Sequence, residues 1–169
     1  MSMQQQHPLT LGVATKADLS GIVALLKANL QQNGGSLSAG LPRKRIAMML
    51  RKMPLIVARR GGRISGFLMT TPREVNADVP VVRAMLDANP DNPHAYVYGP
   101  VCVSASERGQ GLAGQLFEAL RRRLPGREGI LFIRRDNQAS IRAHLKMGMT
   151  EVNGFELGGH GFAVFTFIG

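Results

Sequence analysis

The stretch Val103–Ala113, VSASERGQGLA, decides how this chain is read. A run of strand-forming residues, AYVYGPVCV from Ala95 to Val103, leads into it. Leu112, Leu116, Leu120 and Leu124, joined by Ala113 and Phe117, lead out of it at the spacing of an amphipathic helix. Gly109 and Gly111 can take backbone conformations that other residues avoid, so the amides of Gly109 to Ala113 can converge on an anion in front of the helix's positive end. Arg108 adds a planar fork of donors that suits phosphate oxygens. Glycines serving turn geometry alone are the plainer alternative, and they leave the adjacent Arg108 unexplained.

Gly109-Gln110-Gly111-Leu112-Ala113-Gly114 also matches the dinucleotide fingerprint G-x-G-x-x-G, a weak signal alone. In that fold the first glycine follows its strand directly, and an acid about 20 residues on holds a ribose. Here Ser104 to Glu107 intervene, and only Asp136 could imitate the acid. A Walker loop is excluded because no Gly-Lys-Ser/Thr follows.

Working outward, Leu9 to Ala14 reads as a first strand, and Thr15 with Asp18 as a capping box before a helix bearing Leu19, Ile22, Val23, Leu26 and Leu30. Gln31 to Gly40 reads as a flexible loop. A second helix starts near Pro42, carries Ile46, Met49, Leu50 and Met53, and stops at Pro54. Leu55 to Ala58 and Ile64 to Thr70 form a hairpin around Arg59 to Arg63. A weakly patterned region, Pro72 to Pro93, holds a short helix at Val81 to Ala88. Gly99-Pro100 interrupts the next strand, and a bulge or splayed edge is expected there. Ile130 to Ile133 is a short strand and Gln138 to Met147 a helix. Thr150 to Leu157 and Phe162 to Phe167 close the chain as a hairpin around Gly158-Gly159. The order β, α, α, β, β, β, α, β, α, β, β around that region predicts a mixed sheet flanked by helices, in the α/β or α+β range.

At 169 residues the chain suits one domain, 1–169, with residues 1–8 as an N-terminal tail. Hydrophobic residues make up 44%, too many for a disordered chain. Lys+Arg 21 against Asp+Glu 11 gives a net charge of +10, which favours anionic partners. Cys102 is the one cysteine, so an internal disulfide is excluded and a reducing compartment is expected. The opening MSMQQQHP lacks the features of a secretory signal, and no apolar run is long enough to span a membrane, so the expected location is the cytoplasm. His7, His94, His144 and His160 stand without partner spacing, so no metal is expected. Arg121-Arg122-Arg123 at a helix C-terminus reads as a solvated, dipole-favoured end, and aromatic residues are only 5%, so nucleic acid is not expected as a partner.

Two motifs together resemble the GCN5-related N-acetyltransferases (GNAT). That family's strand ending in valine, followed by Arg-Gly-x-Gly-Leu/Ile-Gly/Ala, is matched by Val103, Arg108, Gly109, Gly111, Leu112 and Ala113. A later Asn-x-x-Ala-x-x-x-Tyr-x-Lys-x-Gly-Phe is matched by Asn137, Ser140, His144, Lys146, Gly148 and Met149, with Ser140, His144 and Met149 standing where the family has Ala, Tyr and Phe. The element order resembles the family along nearly the whole chain.

The resemblance implies a mostly antiparallel mixed sheet, splayed at a cofactor cleft between the strand ending at Val103 and the strand Ile130 to Ile133. Acetyl-CoA would bind there as co-substrate. Backbone groups of Val101, Cys102 and Val103 would pair with pantetheine, and one amide would polarise the thioester carbonyl. Arg108, Gly109, Gln110, Gly111, Leu112 and Ala113 would hold the pyrophosphate, and Asn137 with Ser140 the pantetheine arm. A primary amine, expected to belong to a small molecule, would attack the thioester directly, and His144 would protonate the departing thiolate. Glu74, His94, Tyr96 and Tyr98 are the candidates for the base. A protein amine is the alternative acceptor, and a dinucleotide-binding domain the more distant one. Cys102 reads as a buried small hydrophobe rather than a nucleophile. Phe162, Phe165 and Phe167 on the last strand leave room for a homodimer.

Overall fold

The computed structural model describes residues 7–30 and 40–169. The expected loop at Gln31 to Gly40 and the N-terminal tail fall almost wholly outside them. The elements are β1 (Leu9–Val13), α1 (Leu19–Ala28), α2 (Arg43–Lys52), β2 (Ile56–Arg60), β3 (Arg63–Thr71), α3 (Pro80–Ala88), β4 (Tyr96–Val103), α4 (Leu112–Arg123), β5 (Glu128–Arg134), α5 (Gln138–Lys146), β6 (Thr150–Leu157) and β7 (His160–Ile168). The strands follow the order β1-β2-β3-β4-β5-β7-β6. The β1–β2, β2–β3, β5–β7 and β6–β7 ladders are antiparallel and the β4–β5 ladder is parallel.

The order of elements is the expected one, and the differences lie at their ends. The first hairpin turns on Gly61-Gly62 alone, both at positive φ (58° and 80°), so Arg59, Arg60 and Arg63 belong to strands rather than to a five-residue turn. Arg59 is drawn into the strand by Asp18, which receives its Nε at 2.9 Å and its Nη2 at 2.5 Å. The same Asp18 accepts the Thr15 N–H at 2.8 Å, as a capping box requires, but it first closes a 3₁₀ turn, Lys16–Asp18, ahead of α1.

The chain forms two compact units, one of the residues up to Met69 with Pro100–Arg123, the other of Thr70–Gly99 with Leu124–Gly169. In the first, the α1 stripe Leu19, Ile22 and Leu26 and the α2 residues Ile46 and Met49 are buried, as are Leu55 to Ala58, Phe67 to Met69 and the α4 stripe Leu112, Leu116, Phe117 and Leu120. Gly66 of β3 permits a close approach. A Cβ there would lie 3.1 Å from the Cys102 carbonyl oxygen and 3.1 Å from Leu112.

In the second unit Val81, Val82 and Met85 of α3 pack with Ala95, Val97, Ile130, Phe162 and Val164. The β4–β5 ladder comprises Tyr96↔Gly129 and Val97↔Ile130. Two residues on, Gly99 stands at φ +111°, within a strand that continues to Val103. Phe162, Phe165 and Phe167 are 4%, 0% and 7% exposed. They are spent inside the fold and offer no face to a second copy.

Candidate active site

The features expected to hold an anion lie in the first unit. After β4 a 3₁₀ turn, Ala105–Glu107, is tied to β3 by Ser104 N–H on the Ser65 carbonyl (2.8 Å). Arg63 Nη2 donates to Ser106 Oγ at 3.2 Å. Glu107 is buried, and its carboxylate accepts Arg60 Nε at 2.7 Å and Nη2 at 3.3 Å. A bare carboxylate beside an anion site would repel the ligand. The Arg60 fork both neutralises Glu107 and holds its carboxyl below the usual range.

Arg108 bonds within the protein. Its Nε donates to the Val103 carbonyl at 3.3 Å and its Nη2 to Asn29 Oδ1 at 3.0 Å, while Asn29 Nδ2 donates to the Leu25 carbonyl at 2.9 Å. The guanidinium therefore joins the end of β4 to the end of α1 and keeps other N–H groups in hand. Gly109 and Gly111 stand at φ 78° and 77°, and nothing lies within 4 Å of a Cβ built on either. The first helical bond of α4 runs from Gln115 N–H to the Gly111 carbonyl. The amides of Leu112, Ala113 and Gly114 thus open the helix without acceptors inside it. Positive φ, open space and orphan amides together make a cradle for an anion. Cys102, 2% exposed, has its thiol pushed up to about 12 by burial, against the opposing charge of Arg108, so it is no nucleophile at neutral pH. Its flanking residues Val101 and Val103 are half-buried on β4.

The acid–base candidates lie in the second unit. Asn137 caps α5, its Oδ1 accepting the Ser140 N–H at 3.2 Å, which leaves its Nδ2 as the side chain's donor. Seven residues after Asn137, about two turns on, His144 is 3% exposed. Its Nδ1 is 2.7 Å from the Ser140 carbonyl oxygen and 3.3 Å from Ser140 Oγ, and its Nε2 is 3.1 Å from Tyr98 Oη. A carbonyl can only accept, so Nδ1 carries the hydrogen, and in the neutral ring Nε2 is left to accept the Tyr98 hydroxyl. Burial holds the imidazole below the ordinary histidine range, offset in part by the Ser140 carbonyl. Burial likewise raises the Tyr98 phenol far above its usual range.

The other base candidates are scattered. Glu74 and His94 are exposed in turns. Tyr96 is buried with its hydroxyl unpartnered and pushed up to about 12 by burial, beneath the Arg127 guanidinium. Asp136, the acid a dinucleotide would need, is already held in a fork by Arg134 Nε (2.8 Å) and Nη2 (2.6 Å). Sequence reasoning missed the supports of the loop, Asn29, Arg60 and Glu107. Glu107 carried a signal, being an acid next to Arg108 in the stretch expected to hold an anion.

Comparison with known proteins gives the class to which this strand, cradle and helix in a mixed sheet belong. The profile of the Acetyltransferase (GNAT) family matches residues 28–149, most of the chain. Among solved structures, an N-acetyltransferase from Staphylococcus aureus Mu50 superposes with a TM-score of 0.70 at 21% identity, over 95% of this chain and 98% of that one. The Salmonella typhimurium protein yncA, solved with its cofactor acetyl-CoA, gives 0.72 at 17%, over 95% and 94%. A ribosomal-protein-alanine N-acetyltransferase from Brucella melitensis gives 0.67 at 21%, over 94% and 99%. No curated protein matches the chain. The chain belongs to the GNAT acetyltransferase family and is an acyltransferase, with acetyl-CoA as its co-substrate. No helix among the described residues is long and apolar enough to cross a membrane.

Proposed function

We propose that this protein transfers the acetyl group of acetyl-CoA directly to a primary amine of a small molecule, as one cytoplasmic acetyltransferase domain over residues 1–169. The observation that carries the reading is the cradle, in which Gly109 and Gly111 stand at positive φ over open space at the start of α4. In this reading the amides of Gly109, Gln110, Gly111, Leu112 and Ala113 bind the pyrophosphate, and Arg108 braces them while lending its charge. Backbone groups of Val101, Cys102 and Val103 pair with the pantetheine arm, and one of their amides polarises the thioester carbonyl. Asn137 donates its Nδ2 to the same arm, with Ser140 beside it. His144 belongs to the acid–base machinery that delivers a proton to the departing thiolate.

Thiol release from acetyl-CoA tests this, measured with the purified protein against a panel of small primary amines and of peptides with free N-termini. The reading expects release with small amines. Turnover with the peptides alone would assign the acceptor to proteins.

A further inference from the structure

His144 meets Tyr98 in a way that the family's tyrosine at this position does not require. The Ser140 carbonyl, 2.7 Å from Nδ1, fixes that nitrogen as the donor. Nε2 then has a lone pair and no proton, and the Tyr98 hydroxyl stands on it at 3.1 Å. The two rings are perpendicular, with centroids 5.6 Å apart, and Phe167 packs edge-on against Tyr98 at 5.5 Å. Such packing leaves neither ring free to swing away. A neutral His144 in this setting cannot itself hand a proton to sulfur, because its one N–H is spent on Ser140.

We propose that Tyr98 is the residue that exchanges protons with the reacting atoms, and that His144 acts through it as the holder of the proton in transit. This rests on the acetyl-transfer reading above. As the amine nitrogen bonds to the acetyl carbon, its surplus proton passes to Tyr98 Oη while the Tyr98 proton passes to His144 Nε2. As the carbon–sulfur bond breaks, Nε2 returns that proton to Tyr98, and Tyr98 gives its own to the thiolate. One N–C bond forms, one C–S bond breaks, and one proton moves from nitrogen to sulfur. Tyr98 and His144 end as they began, and the bond from Nδ1 to Ser140 persists throughout. Burial suits this role, since a phenol that resists ionising stays a conduit rather than becoming a trapped phenolate.

Two measurements decide it. ¹⁵N NMR of the imidazole in the protein alone, without substrate, is expected to show His144 as the Nδ1–H tautomer with a lone pair on Nε2. A proton found on Nε2 overturns the relay whatever the reaction catalysed. With any amine that the wild type accepts, Tyr98→Phe is expected to lower kcat by about 10² to 10⁴ while leaving acetyl-CoA affinity unchanged. A folded Tyr98→Phe enzyme with kcat within about threefold of wild type also overturns it, being outside the range for loss of an acid–base group. Should that variant not fold, the tautomer measurement still decides. Failure of the wild type to acetylate any amine would count against the proposed function and leave the tautomer result standing separately.

Discussion

Gly111 and Arg108 both belong to the cradle, but they fail differently when changed. Gly111 stands at φ 77°, where a β-branched residue is strained, and its Cβ would occupy the open space in front of the α4 amides. Gly111→Val is therefore expected to lose more acetyl-CoA affinity than Arg108→Ala. The latter removes one brace and one charge, worth about 10- to 150-fold by calorimetry. His144 sets a pH dependence whose sign follows from burial. Its folded pKa lies below the ordinary 6.5, so the native state resists protonation, and the stability this contributes is present above pH 6.5 and lost as pH falls through the folded value. The titratable group that meets its ring is Tyr98 of β4, which stays neutral across this range. Urea unfolding from pH 7.5 to 5 should show wild type losing stability over that window and His144→Gln losing less. Equal slopes would mean that His144 is not buried neutral.

The elements were legible where side-chain period decides them and illegible where a distant partner does. The leucines of α4 repeat at helical spacing, and the apolar runs of β2 and β3 flank a glycine turn, so their type could be read directly. Arg59 and Arg60 read as turn residues because they adjoin the glycines Gly61 and Gly62 between two apolar runs. They are strand residues because Asp18 and Glu107, 41 and 47 positions away, receive their guanidinium groups. The Glu107–Arg60 pair should show in the acid limb of stability. The Glu107 pKa is depressed below 4.5, so its contribution is complete above that value and disappears as pH falls through the folded one. Glu107→Gln should flatten this limb in a thermal-melt series. It should also weaken acetyl-CoA binding at neutral pH, because the loop loses its tie to β2. Close packing of β3 against β4 and α4 gives a further check at Gly66. A methyl there would press on the Cys102 carbonyl and on Leu112, each 3.1 Å away, so Gly66→Ala should cost about 1 to 3 kcal/mol in urea unfolding. An unchanged midpoint would show that this part of β3 has slack.

Over the whole molecule, Val103–Ala113 and Asn137–Met149 disclosed the family because the chemistry of a phosphate cradle and of a capped helix is local. The acceptor was not legible, because outside these two stretches the spacing of residues encodes no chemistry. Charge acts at this scale as well. A net charge of +10 should strengthen binding of the anionic co-substrate at low salt, so acetyl-CoA affinity is expected to fall as ionic strength rises. The most direct measurement of the central claim is a calorimetric titration of acetyl-CoA, NAD and FAD into wild type and into Gly111→Val. The account predicts that wild type binds acetyl-CoA in preference to both dinucleotides and that Gly111→Val loses most of this affinity. Tighter binding of NAD or FAD than of acetyl-CoA, or undiminished acetyl-CoA affinity in Gly111→Val, would contradict it.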